Sequence, residues 1–363
     1  MDVMSSLRRC APPVGAIGAS LVVKHFLEKG KLMKSILCRL LTALVCVLAL
    51  ATASAWAQPK IKIATVMPGT IQDGEYNWLG AEAMKAAAKT GFYETAYSEK
   101  VTVPDVARVM REYIASGHRI IWAHGAQFNN AVFSLADANP EVSFIIETEP
   151  RPAANTVKPN VWYLDRNRHT GFYLMGVVAS MVTKAQKIGY IGGVPLPFYW
   201  SELNATRQAL KDNNSKATIS AIVVGDFNDP VKAKQSAEVL IAAGCDVLIS
   251  QLSLGNTGVI QAVKEAKNKV LLTTSFTSRK DQLPNGYLTA DLYDFSKPIT
   301  DIAEQVRKGS KGGYYLMEYG PGKARSTEMP IVNVDAKVNE RVQQTIRDIV
   351  SGKVTVVLNQ NKD

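Results

Sequence analysis

Short apolar runs of β type alternate with segments of helical period along most of this chain, and that alternation restricts the folds open to it. Residues 61–66 precede an Ala-rich helix predicted over about 78–89, and runs at 119–122 and 143–146 flank a helix near 128–138. The pattern continues through 161–164, a helix over 171–182, and apolar runs at 188–191, 219–224, 247–250 and 270–274. Strands separated by helices of this length argue for parallel sheets covered by helices on both faces. Domains centre on about 100–150 residues, so two small sheets suit the chain better than one very large sheet. The natural break falls at 165–168, and a cleft between two such domains would be lined by the loops after each strand.

The alternation starts only after residue 60. Ahead of it, Lys34 and Arg39 lead into an unbroken apolar run over 40–51, followed by Ala55, Trp56 and Ala57. Basic residues, a short apolar stretch and small residues at −3 and −1 match a secretory signal cut near Ala57, whereas a stable span needs about 20 apolar residues. Residues 1–57 are therefore read as an upstream extension and signal peptide, with a mature start at about Gln58 and a periplasmic destination. This segment holds seven of the 42 basic and two of the 32 acidic residues, so the remainder carries a net charge of only +5. So mild a surplus, with no basic stripe interleaved with aromatics, is no nucleic-acid footprint. Only Cys245 of four cysteines survives the cut, which leaves stability to an apolar core.

Aromatic and polar residues gather in the predicted post-strand loops. The first loop offers Asp73, Tyr76, Asn77 and Trp78, and the third offers Phe128 and Asn129. Later loops offer Phe198 and Trp200, then Phe227, with Gln251 after another strand. Rings edged by hydrogen-bonding groups suit a flat heterocycle. Asp229, ahead of Pro230, fits a helix cap better than a ligand contact.

Taken in order, DGEYNW at 73–78, the stretch 117–144, YLMG at 173–176 with KIGYIGG at 187–193, GDFNDP at 225–230 and AGCDVL at 243–248 resemble the basic membrane protein family. These are periplasmic substrate-binding proteins of ABC transporters, also called the purine nucleoside receptor family. The resemblance implies a type I periplasmic-binding fold: two α/β lobes joined by three crossovers and closing on a ligand. The first lobe would comprise 58–165 plus about 276–312, and the second 166–275 plus about 313–363.

The same resemblance implies Tyr76 or Trp78 and Phe227 as stacking rings, with Asp73 as an edge contact. Two ribose-type contacts of the nucleoside branch are replaced here, by 275–277 and near Tyr293. A free purine base, adenine-like, is therefore the expected ligand, with a nucleoside as the alternative. Trp78, Phe128, Phe198, Trp200 and Phe227 would form the walls, and Asp73, Asn77, Asn129, Gln251 and Asp291 would read the ring edge. Trp78→Ala should then weaken binding strongly. An ABC permease in the inner membrane is the expected partner, and a ligand-sensing adaptor for a membrane receptor is the alternative of another class.

No catalytic set, cofactor or metal is expected. The region after Ala57 lacks a G-x-S-x-G elbow, a phosphate loop, an H-E-x-x-H and a C-x-x-C, and its three histidines are scattered.

Overall fold

The computed structural model describes Met33, residues 37–40, Thr42 and residues 59–362. The expected cut after Ala57 and the start at Gln58 lie outside the described residues. Residues 60–363 form one compact unit. Among the described residues, no helix is long and apolar enough to cross a membrane.

The unit contains two six-stranded sheets. In the first half of the chain β1 (Ile61–Val66), α1 (Tyr76–Lys89), β2 (Tyr93–Ser98), α2 (Val103–Ala115), β3 (Ile120–Ala123), α3 (Asn129–Ala136), β4 (Ser143–Thr148) and β5 (Val161–Asp165) follow one another. The chain continues through α4 (Arg168–Val182), β6 (Lys187–Gly192), α5 (Pro197–Asp212), β7 (Thr218–Val223), α6 (Pro230–Ala242), β8 (Val247–Gln251), α7 (Asn256–Glu265), β9 (Leu271–Phe276) and β10 (Tyr287–Tyr293). It ends with α8 (Ser296–Arg307), β11 (Gly313–Leu316), β12 (Arg325–Thr327) and α9 (Ala336–Val350).

Sheet order is β11-β5-β4-β3-β1-β2 in one lobe and β12-β10-β9-β8-β6-β7 in the other. Every pairing is parallel except β10 with β12. Parallel strands buried on both faces read as continuous apolar runs, which is how β3 and the first three residues of β8 stand out in the sequence.

Each sheet is sealed by an apolar cluster on either face. Ile63, Leu79 and Ala83 meet Ile299 and Ile302 on one side of the first sheet, and Val66, Val106, Met110 and Val132 pack on the other. In the second lobe Leu174, Leu203 and Val342 share one cluster, while Ala233, Cys245, Leu248 and Val259 share the opposite one. Cys245 is thus a small core residue, and burial raises its thiol above the ordinary value. Asp229 caps α6, accepting from the Val231 and Lys232 amides at 3.0 Å each.

The chain passes between the sheets three times: from β5 to α4, from β10 to α8, and from β11 to β12. Sheet membership departs from the expected boundaries at two points. β10 pairs with β9 in the second sheet, although 276–312 had been assigned to the first lobe, and β11 pairs with β5 in the first sheet, although 313 onward had been assigned to the second. An apolar strand carries no mark of which sheet it joins; partner strands far away in sequence decide that.

Candidate functional site in the inter-lobe cleft

The carboxyl ends of the strands in both sheets face one narrow cleft of ≈ 30 Å³, room for little more than a water, so a ligand enters it only when the walls part. Tyr76, Asn77 and Gln127 line it from the first lobe, and Phe198, Phe227, Asn228, Gln251, Ser253 and Phe276 from the second. Arg166 and Arg168, at the β5–α4 crossover, line it too. A wider chamber of ≈ 580 Å³ shares Gln127, Arg166, Arg168 and Phe198 with it and adds Asn129, Glu147, Glu149 and Gln360.

Phe198 and Phe227 face each other at a ring separation of 6.3 Å and a tilt of 30°. A flat ring between two others needs about 7 Å, twice the ordinary contact distance, so the two rings must part and align to admit one. Phe227 lies directly on Gly193, where an added Cβ would come within 2.1 Å of the ring. Phe276 is held at φ 75°. For a bulky side chain this conformation costs about 1–3 kcal/mol, and packing of the ring against Tyr76 and Tyr293 at 5.2 and 5.0 Å offsets that cost.

Below the rings lies a buried polar network. The Glu147 carboxylate accepts from the Tyr76 hydroxyl at 2.7 Å and pairs with Arg166 and His124 at 2.6 Å each. Burial alone would raise this carboxyl, but Arg166 and His124 bring it down to about 2. His124 stacks on the Tyr76 ring at 3.8 Å, and its other ring nitrogen meets the Tyr76 carbonyl at 2.8 Å. Arg168 pairs with Glu202, which also accepts from the Tyr190 hydroxyl. Burial pushes the Glu202 carboxyl above the ordinary range against the pull of Arg168. Both guanidinium groups sit over Phe198, at 4.2 Å for Arg168 and 5.3 Å for Arg166.

The loop after β1 reaches across to the second lobe. Glu75 pairs with Arg279 at 2.6 Å and accepts from the Asn256 amide at 2.9 and 3.0 Å. Arg279 also donates to the Asp73 carbonyl at 2.8 Å, Thr277 to the Gly74 carbonyl at 2.9 Å, and Ser253 to the Asp73 carboxylate at 2.7 Å. Burial pushes the Glu75 carboxyl above its ordinary range, with Arg279 and Asn256 pulling the other way. These contacts join the two lobes across the cleft.

The structure brings Tyr76, Asn77, Phe198, Phe227 and Gln251 of the expected residues into the inner cleft, and Asn129 into the outer chamber. Asp73 lies beside it but is spent. Its carboxylate accepts from the Glu75, Asn77 and Trp78 amides and from the Asn77 side chain as well as Ser253.

Trp78, expected in the wall, is 38% exposed and does not line the cleft, because α1 turns it away from the face that carries Tyr76. Phe128 is fully buried in the core behind the first sheet. Trp200 packs against the second-lobe cluster with Tyr199 at 4.8 Å, two positions and about 200° around α5 from the cleft-facing Phe198. Asp291 and Tyr293 are buried with Arg325, which pairs with the carboxylate and covers the ring at 3.7 Å. Neither lines the cleft.

Sequence reasoning missed Arg166 and Arg168, reading 165–168 only as a domain break. Two arginines directly after an apolar strand were the available signal. Among the described residues no group of three or more His, Cys, Asp or Glu could hold a metal ion.

Two doubly wound lobes linked by three crossovers around an aromatic cleft define a two-lobed ligand-binding architecture. Solved structures share the architecture. A solute-binding protein from Aeropyrum pernix superposes with a TM-score of 0.71 at 16% identity, covering 84% of this chain and 95% of that one. Another, from Conexibacter woesei, gives 0.63 at 22% identity, covering 82% and 99%. The fold is the type I periplasmic-binding fold.

The family model described as ABC transporter substrate-binding protein PnrA-like matches residues 60–354, and the chain belongs to that family, the Bmp family. A purine-binding protein of Brucella abortus is 24% identical over 83% of this chain and 84% of its own length. An ABC transporter nucleoside-binding protein of Lactococcus lactis is 24% identical over 66% and 71%. A Haloferax volcanii relative, whose name assigns it to glucose binding in ABC transport, is 24% identical over 82% and 74%. Membership makes this chain a substrate-binding component that serves a transporter and holds a small molecule without turning it over.

Proposed function

We propose that this protein captures a purine-class heterocycle outside the inner membrane and delivers it, by closure of the two lobes, to the permease of an ABC transporter. The Phe198 and Phe227 rings, 6.3 Å apart and tilted by 30° at the mouth of the strands, carry this reading, because a flat aromatic ligand would stack between them as they part. Tyr76 and Phe276 would close the apolar walls, with Asn77, Gln251 and, from the outer chamber, Asn129 reading the ring edge. The names of the Brucella and Lactococcus relatives support a purine or nucleoside ligand.

A free base is favoured over its nucleoside. Of the residues lining the inner cleft none is a carboxylate, the group that would grip a ribose diol. A ligand touching both lobes stabilises the closed state, which is the form a permease would engage. Export through the segment ending near Ala57 would place the protein in the periplasm.

Thermal unfolding of the purified protein against purines, pyrimidines, their nucleosides and glucose tests the reading, since binding to the folded state raises the transition. Stabilisation by purine bases is expected. A shift with glucose alone, or with pyrimidines alone, would overturn it.

A further inference from the structure

The polar lining of the cleft is lopsided. Arg166 spends only Nη1, on Glu147 and at 3.4 Å on the Tyr76 hydroxyl, and its Nε has no hydrogen-bond partner although the residue is 3% exposed. Arg168 is bonded to Glu202 alone and is 1% exposed. A guanidinium carries five N–H donors, so each arginine retains unspent ones at the cleft.

The neighbouring carboxylates are all engaged. Glu147 serves Tyr76, His124 and Arg166, Glu149 serves His169 and Ser201, and Glu202 serves Arg168 and Tyr190. A free acceptor in the inner cleft is of another kind: the buried Asn228 Oδ1 has no partner. Unspent donors thus stand in one cleft with a neutral amide acceptor.

Resting on the purine reading above, we propose that the cleft selects purines bearing a lactam edge, of the xanthine and urate type, over amino-substituted ones such as adenine. A ring carbonyl, or a ring nitrogen that has lost its proton, accepts from the spare N–H groups of Arg166 and Arg168. The adjacent ring N–H donates to Asn228. Adenine can turn a ring nitrogen toward the same guanidinium groups, but that nitrogen offers one lone pair where a lactam carbonyl offers two, so a buried N–H group is left unmet. The adenine-like ligand expected from the sequence is therefore the disfavoured one. Discrimination of roughly 10- to 100-fold follows, the scale of one unsatisfied buried polar group.

Calorimetric titration of the purified protein with xanthine, uric acid, hypoxanthine and adenine decides the matter. The oxo-purines should bind at least ten times more tightly than adenine, and inosine more tightly than adenosine. Adenine binding as tightly as xanthine would overturn the lactam selection while leaving the purine reading intact, and silence from every purine and nucleoside would overturn both.

The double variant R168Q/E202Q removes the charge pair without stranding a lone buried ion and keeps a partner for the Tyr190 hydroxyl. It should lose at least tenfold in xanthine affinity and less than about twofold in adenine affinity. An equal loss for both ligands would give Arg168 a merely structural role and sink the proposal.

Discussion

Arg279→Ala tests how the lobes are held together. In the closed protein Arg279 donates Nε to Glu75 at 2.6 Å and Nη2 to the Asp73 carbonyl at 2.8 Å. Hydrogen bonds to a charged group contribute about 1.5–3 kcal/mol each, and breaking a buried ion pair outright costs about 3–5 kcal/mol. Two reliefs reduce that figure. Glu75 keeps its Asn256 contacts, and burial already pushes its carboxyl upward, so that it can protonate rather than remain a lone anion.

A net loss of about 2 kcal/mol for the closed form follows, a factor of about 30 in the closed-to-open ratio. Each lobe keeps its own core, so the thermal midpoint should move little, while ligand affinity falls about 30-fold and the radius of gyration without ligand grows. The pH dependence has a definite sign. A carboxyl whose closed-state pKa lies above its open-state value favours closure at low pH and loses that contribution as pH rises through the closed-state value. Affinity of R279A should therefore recover as pH is lowered from 8 toward 5. Calorimetric titration at several pH values, with small-angle scattering of the unliganded variant, measures both effects. Unchanged affinity, or a large fall in midpoint with unchanged radius, would refute the view that this pair works between separable lobes.

Gly193→Ala should cost at least tenfold in ligand affinity, because the new Cβ would lie within 2.1 Å of Phe227 and push the ring out of its slot; titration of G193A against wild type reads this directly. Trp78→Ala should leave affinity within about twofold, as expected of an exposed side chain outside the cleft, and a strong loss would place Trp78 in the site after all. Glu147, held at about 2 against an ordinary 4.5, contributes about 3 kcal/mol that is fully present above pH 4.5 and is lost as pH falls toward 2. Glu147→Gln should therefore flatten the acid limb of the stability curve, as followed by urea unfolding between pH 3 and 7.

Much of the architecture is legible in the amino-acid order alone. Strand β3 is apolar end to end and β8 is apolar over its first three residues because both of their faces are covered, and the Asp229-Pro230 cap marks a helix start, so local chemistry suffices to find them. Phe198 and Phe227 could be read as cleft residues because parallel sheets present their post-strand loops at one edge. Edge strand β2, Tyr93–Ser98, escaped notice because its mixed sequence, YETAYS, follows neither a strict alternation nor an apolar run.

Pairing and direction lay beyond reach. Whether β10 joins the first or second sheet depends on β9 and β12 as neighbours, and no residue within β10 encodes that choice. Trp78 and Tyr76 are two positions apart on α1, about 200° around the helix, so one enters the cleft and the other faces outward; only the packing of the helix determines which. Asp73 looked available as a ligand contact until five hydrogen bonds from α1 and Ser253 claimed it. Arg166 and Arg168 read as polar punctuation between domains. They become the cleft's donors only because β5 ends at the crossover, where low-dielectric walls and partners from β4 and α5, Glu147 and Glu202, bury two charges that would otherwise have stayed in water.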